Sequence, residues 1–284
     1  MTRSGIVEGV NAVLVERPAP RAQTDRRAVG IRLLVALGSV VSLTVLAWFV
    51  LRTGVGQRWD DGAMTTVVAG RDTRLTVLSL LGRVSIGTIV VVATVCVLLA
   101  LAQGRLAAAA AALVVLAGAN VTTQVLKHGV LERVDGYVQA PNSFPSGHTT
   151  VVAAGVAALL LVAPRVLTPL VAFAGSAAIT LTACSTIVAG WHRPADVVGS
   201  VLVALAWAAF AALVTGGARR RVPGCWLGAL TGAGVGLLAL VAIGVRPAYG
   251  WSGFAEAAVV LGSIALAVGV LVALMGLVVP RART

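Results

Sequence analysis

The stretch STIVAGWHRPADVVGSVLVALAWAAFAALVT, residues 185–215, decides how the rest of the chain is read. From Val197 to Val214 it carries no charged side chain. A helix crossing the hydrocarbon of a bilayer needs about 20 mostly apolar residues, because no water there can satisfy a bare backbone. This stretch meets that length. Ahead of it stand His192, Arg193 and Asp196, polar groups at the mouth of an apolar segment. Pro194 suits the first turn of a helix, and a four-residue spacing puts His192 and Asp196 on one helical face.

Similar apolar runs occupy residues 31–51, 84–102, 106–126, 147–163, 166–189, 225–245 and 256–279. With 194–215 they predict about eight helices. Of the 284 residues, 58% are hydrophobic and 11% charged, far from the balance of an average soluble domain. The fold class expected is all-α, a polytopic membrane helical bundle. Residues 1–30, with Arg17, Pro18, Pro20, Arg21, Arg26 and Arg27 and no periodic apolar face, read as a disordered cytoplasmic tail. No cleavable signal peptide precedes the first apolar run, which is expected to stay as a signal anchor.

The net charge of +12 would suggest nucleic acid in a soluble protein. Here the arginines cluster in short connections, so topology explains them and no nucleic-acid partner is expected. Arg105, Arg165, the Arg219–Arg221 run, Arg281 and Arg283 then mark the inner side. Both termini are expected in the cytoplasm and the protein in the cell membrane. The first outer connection, 52–83, departs from the rule, its arginines partly balanced by Asp60, Asp61 and Asp72. Its short apolar piece from Leu75 to Leu81 is expected at the interface or as a cap on the site. Cys96, Cys184 and Cys225 lack metal-ligand spacing and fall in apolar segments, which argues against a disulfide framework. Gly224, Gly228, Gly232 and Gly236 recur every fourth residue and predict close helix packing.

Chemistry gathers in two connections separated by two spans, so both face one side whichever way the protein inserts. One is the segment around His192. The other, LKHGVLERVDGYVQAPNSFPSGHTT from Leu126, carries Lys127, Arg133, Ser146, Gly147 and His148. An Asp that accepts the proton of one imidazole nitrogen leaves the other nitrogen's lone pair free to attack phosphorus. Alone, the His192 and Asp196 spacing is better explained by an ordinary hydrogen bond at a helix start. Ser146 is a natural N-cap, and unpaired amides in the turn after it suit an oxyanion. Gly147 lets that oxyanion approach the backbone, while His148 can act as general acid. Lys127, the sole lysine, and Arg133 suit a phosphate, although a basic side chain at a helix end also snorkels to headgroups. Asn120 and Gln124 share the face of Lys127. His128 is assigned no role.

Lys-x5-Arg, then PSGH, then HxxxD, in this order on alternate connections, resembles the type-2 phosphatidic acid phosphatase (lipid phosphate phosphatase) superfamily. The resemblance covers about residues 31–215, read as a six-helix phosphatase core, with 216–284 as two additional transmembrane helices and a short basic tail. It implies hydrolysis of a lipid phosphomonoester or diphosphate, phosphatidate-like or polyprenyl, through a phosphohistidine. In that scheme His192 attacks, Asp196 orients it and His148 protonates the leaving alcohol, while Lys127, Arg133, Ser146 and Gly147 hold the phosphate. No metal and no cofactor are expected, and the site faces outward. The sequence departs from the family pattern at Thr186, where an Arg usually stands six residues before the nucleophile, and at Val134, where Pro usually follows the Arg. Arg193 and Thr186 are the two candidates to replace the missing group. Two other readings use the same residues: a phosphotransferase, with an acceptor alcohol in place of water, and a non-catalytic lipid-phosphate binder. The sequence carries no indication of oligomeric state.

Overall fold

The computed structural model describes residues 26–134, 141–216 and 222–280. Ten α-helices follow in chain order: α1 (Arg26–Arg52), α2 (Gly54–Met64), α3 (Arg71–Gly82), α4 (Ile86–Ala102), α5 (Leu106–Val125), α6 (Gly147–Val162), α7 (Thr168–Val188), α8 (Pro194–Thr215), α9 (Cys225–Ala242) and α10 (Phe254–Val278). The molecule is an all-α membrane bundle. All eight apolar segments are helical, and the connection between the first two of them contributes the extra helices α2 and α3.

Six helices are long and apolar enough to cross a membrane. A seventh crossing arises if α3 and α4, which meet at a bend of 52°, act together. The apolar piece Leu75–Leu81 lies in α3, where Val77 and Leu81 are buried in one cluster with Ala189. The remaining apolar segment, α6, has 16 residues, so it rises only about 24 Å against a hydrocarbon core of about 30 Å. It is sheltered in the bundle by α4, α5, α7 and α8. Gln103 and Arg105 hold its carboxyl end, donating to Val162 O at 2.9 Å and Leu161 O at 3.1 Å. An arginine read as a topology signal is therefore also a helix cap.

One boundary shifts. Helix α1 begins at Arg26, so residues 26–30, expected in the tail, are helical. The guanidinium of Arg32 explains part of this: fully buried, it donates from Nε to Val278 O at 3.1 Å and ties the start of α1 to the end of α10. The rest of the expected tail and the terminal and inner-loop arginines, Arg219–Arg221, Arg281 and Arg283, lie outside the described residues.

Helix α8 packs against α1, α5, α6 and α10, which makes it the axis of the bundle. Helix α9 lies along α7, and there the glycine stripe does what its spacing predicts. A Cβ on Gly228, Gly232 or Gly236 would collide with the carbonyl oxygen of Pro169, Phe173 or Ala177 respectively. Gly224 stands apart as the left-handed N-cap of α9, φ +79°. The last two helices are also stitched to the first connection by a two-stranded antiparallel ribbon, β1 (Val67–Ala69) with β2 (Val245–Pro247), in which Val68 faces Arg246. Thr73 adds a bond from its hydroxyl to Ile243 O at 2.9 Å. Residues of α9 and α10 share one apolar core with α6, α7 and α8.

Candidate active site

The site is organised around the first turn of α8. Asp196 there is wholly buried. Its Oδ2 accepts the Arg193 amide at 2.9 Å, which closes the helix start, and stands 3.2 Å from Nδ1 of His192. A third group, the hydroxyl of Ser143, donates to the same oxygen at 2.5 Å. Three polar partners on one carboxylate oxygen fix both its position and the ring of His192. With Nδ1 engaged, Nε2 is the imidazole nitrogen left to react. The loop before α8 is anchored as well: Trp191 and His192 donate their amides to Thr186 O at 3.0 and 3.3 Å.

The segment 141–150 meets this turn directly. Ser146 donates its amide to Asp196 O at 3.1 Å. The Ser200 hydroxyl lies 2.7 Å from Ser146 O and 2.8 Å from Asp196 O, sharing one proton between the two helix starts. Phe144, fully buried, presses on α8 at Gly199, where a Cβ would sit 2.5 Å from the ring. Only glycine lets the two segments come this close. Ser146 caps α6 by accepting from the Thr149 amide at 3.4 Å. The amides of Gly147 and His148, in the first turn, precede any intrahelical carbonyl partner. His148 packs on Trp191, ring centroids 5.4 Å apart, and lies within electrostatic reach of His192 and Lys127.

Lys127 sits in a π-helical turn, Leu126–Val130, that follows α5. Such turns re-aim side chains and recur at functional sites. Asn142 secures the turn, donating to Lys127 O at 3.2 Å and Leu131 O at 2.7 Å. Arg133, just beyond it, is buried, and among the described residues none of its three guanidinium nitrogens has a hydrogen-bond partner. Burial, and after it the charge of Arg193, lowers its pKa from the usual arginine value. A buried cation without a partner is costly, and an anion bound beside it removes that cost.

The two candidates for the missing cation are both engaged within the protein. Thr186 is fully buried and donates its hydroxyl to Ala183 O at 2.7 Å. Arg193 gives Nε to Asp61 at 2.8 Å and Nη1 to Ser143 Oγ at 3.1 Å. Ser143, Asp60 and Asp61 are site residues that the sequence motifs do not include. Ser143 lay within the quoted segment, three residues before Ser146, and Asp60–Asp61 is the one adjacent acidic pair in the sequence. Those were the available signals. Asp60 is buried, accepts the Ala195 amide on Oδ1 at 2.9 Å and has no hydrogen-bond partner on Oδ2 among the described residues. Its carboxyl is pushed up to about 7, first by burial and then by the charge of Asp196.

Among the described residues no three His, Cys, Asp or Glu side chains are grouped so as to hold a metal ion. A groove of about 630 Å³ runs between the starts of α4 and α6 and the end of α5, bordered by Gly147, His148, Asn120, Gln124 and apolar residues including Ile86 and Val121.

Residues 108–220 match the family model of the PAP2 superfamily. No curated protein and no solved structure matches the chain.

Proposed function

The chain belongs to the PAP2 superfamily through this segment, and from that membership we propose that it is a hydrolase of lipid phosphates working through a phosphohistidine. It is a membrane protein of phosphatase type. The observation that carries the phosphohistidine reading is the buried His192 and Asp196 pair, Nδ1 to Oδ2 at 3.2 Å.

In this reading Nε2 of His192 attacks phosphorus and the bond to the ester oxygen breaks. His148 gives that oxygen its proton. Water then attacks phosphorus, its proton taken up by the deprotonated His148, and the phosphorus–nitrogen bond breaks to restore the imidazole. Asp196 holds the tautomer and stabilises the cationic ring that forms. Arg133, Lys127 and the amides at Gly147 and His148 receive the phosphate oxygens, with Ser146 shaping the turn that presents them. Because Thr186 and Arg193 already donate to protein groups, Arg133 carries more of the phosphate charge than it would in a site with a further arginine. Phosphate monoesters hydrolyse so slowly unaided that positioning and charge must supply a very large barrier reduction.

A lipid is the favoured substrate because the groove at His148 has apolar walls and opens beside Ile86 and Val121, both exposed on the bundle surface. Its chain lies there while the phosphate reaches the buried histidine. Arg105 and Arg165 stand at the other end of α6, which supports a site on the outer face of the cell membrane. The test is phosphate release by purified protein from a panel of phosphatidate-like and polyprenyl phosphates, with and without chelator. Turnover that His192→Ala abolishes is expected. Wild-type-like turnover by that variant overturns the mechanism, and binding without turnover across the panel overturns the hydrolase.

A further inference from the structure

Helix α2 lies outside every motif that carries the family resemblance, yet it reaches the centre of the site. Its position is fixed locally. Thr53 caps it by accepting the Gly56 amide at 3.0 Å. Gln57, fully buried, donates to Leu51 O at 3.0 Å and to Val134 O at 3.1 Å, which binds α2 to the loop of Arg133. From this anchored helix Asp60 and Asp61 turn toward the start of α8.

A continuous line of polar contacts leads inward from there. Asp61 Oδ1 accepts from Nε of Arg193 at 2.8 Å, and Nη1 of the same guanidinium donates to Ser143 Oγ at 3.1 Å. Ser143 then donates to Asp196 Oδ2 at 2.5 Å, and that oxygen faces His192 Nδ1 at 3.2 Å. The directions are mutually consistent. A hydroxyl has one proton and two lone pairs, and accepting from Arg193 leaves the Ser143 proton only one place to go, Asp196. Arg193 has no acceptor capacity, so it cannot reverse the line.

We propose that Asp61 is a positioning residue for His192, acting through Arg193 and Ser143 on the Asp196 carboxylate. The inference rests on the phosphohistidine reading above. The Asp61 side chain is 35% exposed, and an ion pair at an open surface contributes little. This pair differs in its inner partner: the Arg193 side chain is only 8% exposed, so loss of Asp61 leaves a largely buried guanidinium with one neutral partner. The pairing has a second consequence. With Asp61 on Nε and Ser143 on Nη1, Arg193 is committed to protein groups at two of its three guanidinium nitrogens, so the site uses a cation for orientation where one was expected for binding.

The experiment compares wild type, Asp61→Asn, Asp61→Glu and Ser143→Ala as purified protein in detergent, with two readouts. Steady-state phosphate release from phosphatidate micelles should show kcat lowered about three- to tenfold in Asp61→Asn with KM not raised, the scale of one charge-assisted contact partly screened by solvent. Asp61→Glu should restore part of kcat. Combining Asp61→Asn with Ser143→Ala should lose no more than Ser143→Ala alone, since both break one line. The second readout needs no turnover: the imidazole signal of His192, one of only three histidines, in histidine-labelled protein. It should shift in Asp61→Asn and return toward wild type in Asp61→Glu. Folded Asp61→Asn with unchanged kcat and an unmoved His192 signal overturns the proposal. If wild type releases no phosphate, the hydrolase reading fails, while the imidazole signal still decides whether Asp61 acts on His192.

Discussion

The Ser143 hydroxyl donates at 2.5 Å to Oδ2 of Asp196, the same oxygen that stands 3.2 Å from Nδ1 of His192. That oxygen also takes the Arg193 amide. The carboxylate is therefore held from three directions before any substrate arrives, and the imidazole inherits its orientation. A graded series follows from this geometry. His192→Ala removes the nucleophile and should abolish phosphate release. Asp196→Asn keeps an oxygen able to accept and loses the charge that stabilises the imidazolium, so it should retain some activity. Ser143→Ala removes one contact to a charged group, about 1.5–3 kcal/mol, and should slow kcat by about ten- to a hundredfold at most. Single-turnover phosphate release ranks the three, and Ser143→Ala as damaging as His192→Ala would contradict the order.

Arg133 should trade stability against activity. Its guanidinium is buried with no hydrogen-bond partner on any nitrogen among the described residues. Arg133→Met keeps much of the volume and removes a charge for which burial and the neighbouring Arg193 outweigh the attraction of Asp60, Asp196 and Asp61, so the melting temperature in detergent should hold or rise. The same variant should lose about ten- to a hundredfold in kcat/KM, because the phosphate loses a charge-assisted contact. Inorganic phosphate should raise the melting temperature of wild type by binding the folded state and leave that of Arg133→Met nearly unchanged. A phosphate-induced shift of wild-type size in the variant would remove Arg133 from the phosphate site.

What the sequence made legible follows from periodicity and local spacing. Apolar length gave the eight hydrophobic helices, the four-residue glycine repeat gave the α7–α9 contact, and the spacing of His192 and Asp196 gave their hydrogen bond. The contribution of α2 was hidden for a physical reason. Asp61 and Arg193 are 132 residues apart in the chain and meet only through tertiary packing, and an acidic pair in an arginine-rich connection looks like simple charge balance. Ser143 was hidden differently. A serine beside a proline-containing turn has many local uses, and only the fold shows its proton directed at Asp196. Thr186 stands where the resemblance expects an arginine, and the part its backbone carbonyl plays in anchoring the amides of Trp191 and His192 is visible only in the fold.

The glycine stripe makes a stability prediction independent of chemistry. A side chain at Gly232 would collide with the carbonyl of Phe173 on α7, whereas one at Gly234 meets nothing within 4 Å. Gly232→Leu should separate α9 from α7 and cost at least the typical 1–3 kcal/mol of over-packing, about that or more because backbone is the obstacle. Gly234→Ala, on the same helix, should melt like wild type. Thermal unfolding followed by circular dichroism distinguishes them, and equal melting temperatures for the two variants would rule out the close α7–α9 approach.

Asp60 should give stability a dependence on pH. Its carboxyl is at about 7 in the folded protein, raised by burial and next by Asp196, against an ordinary value of 3.8. Between those values the folded state holds a proton that the unfolded state has released. Stability therefore falls as pH rises from about 4 toward 7, and above that the full cost of the buried charge is present. Asp60→Asn cannot ionise and can still accept the Ala195 amide through its carbonyl oxygen. Its melting temperature should thus exceed that of wild type at pH 8 and converge with it toward pH 5. The difference between the two proteins is the measurement, since other groups titrating in the same range contribute to both curves. A difference that is constant across this range would mean that Asp60 does not change its charge there in the folded protein.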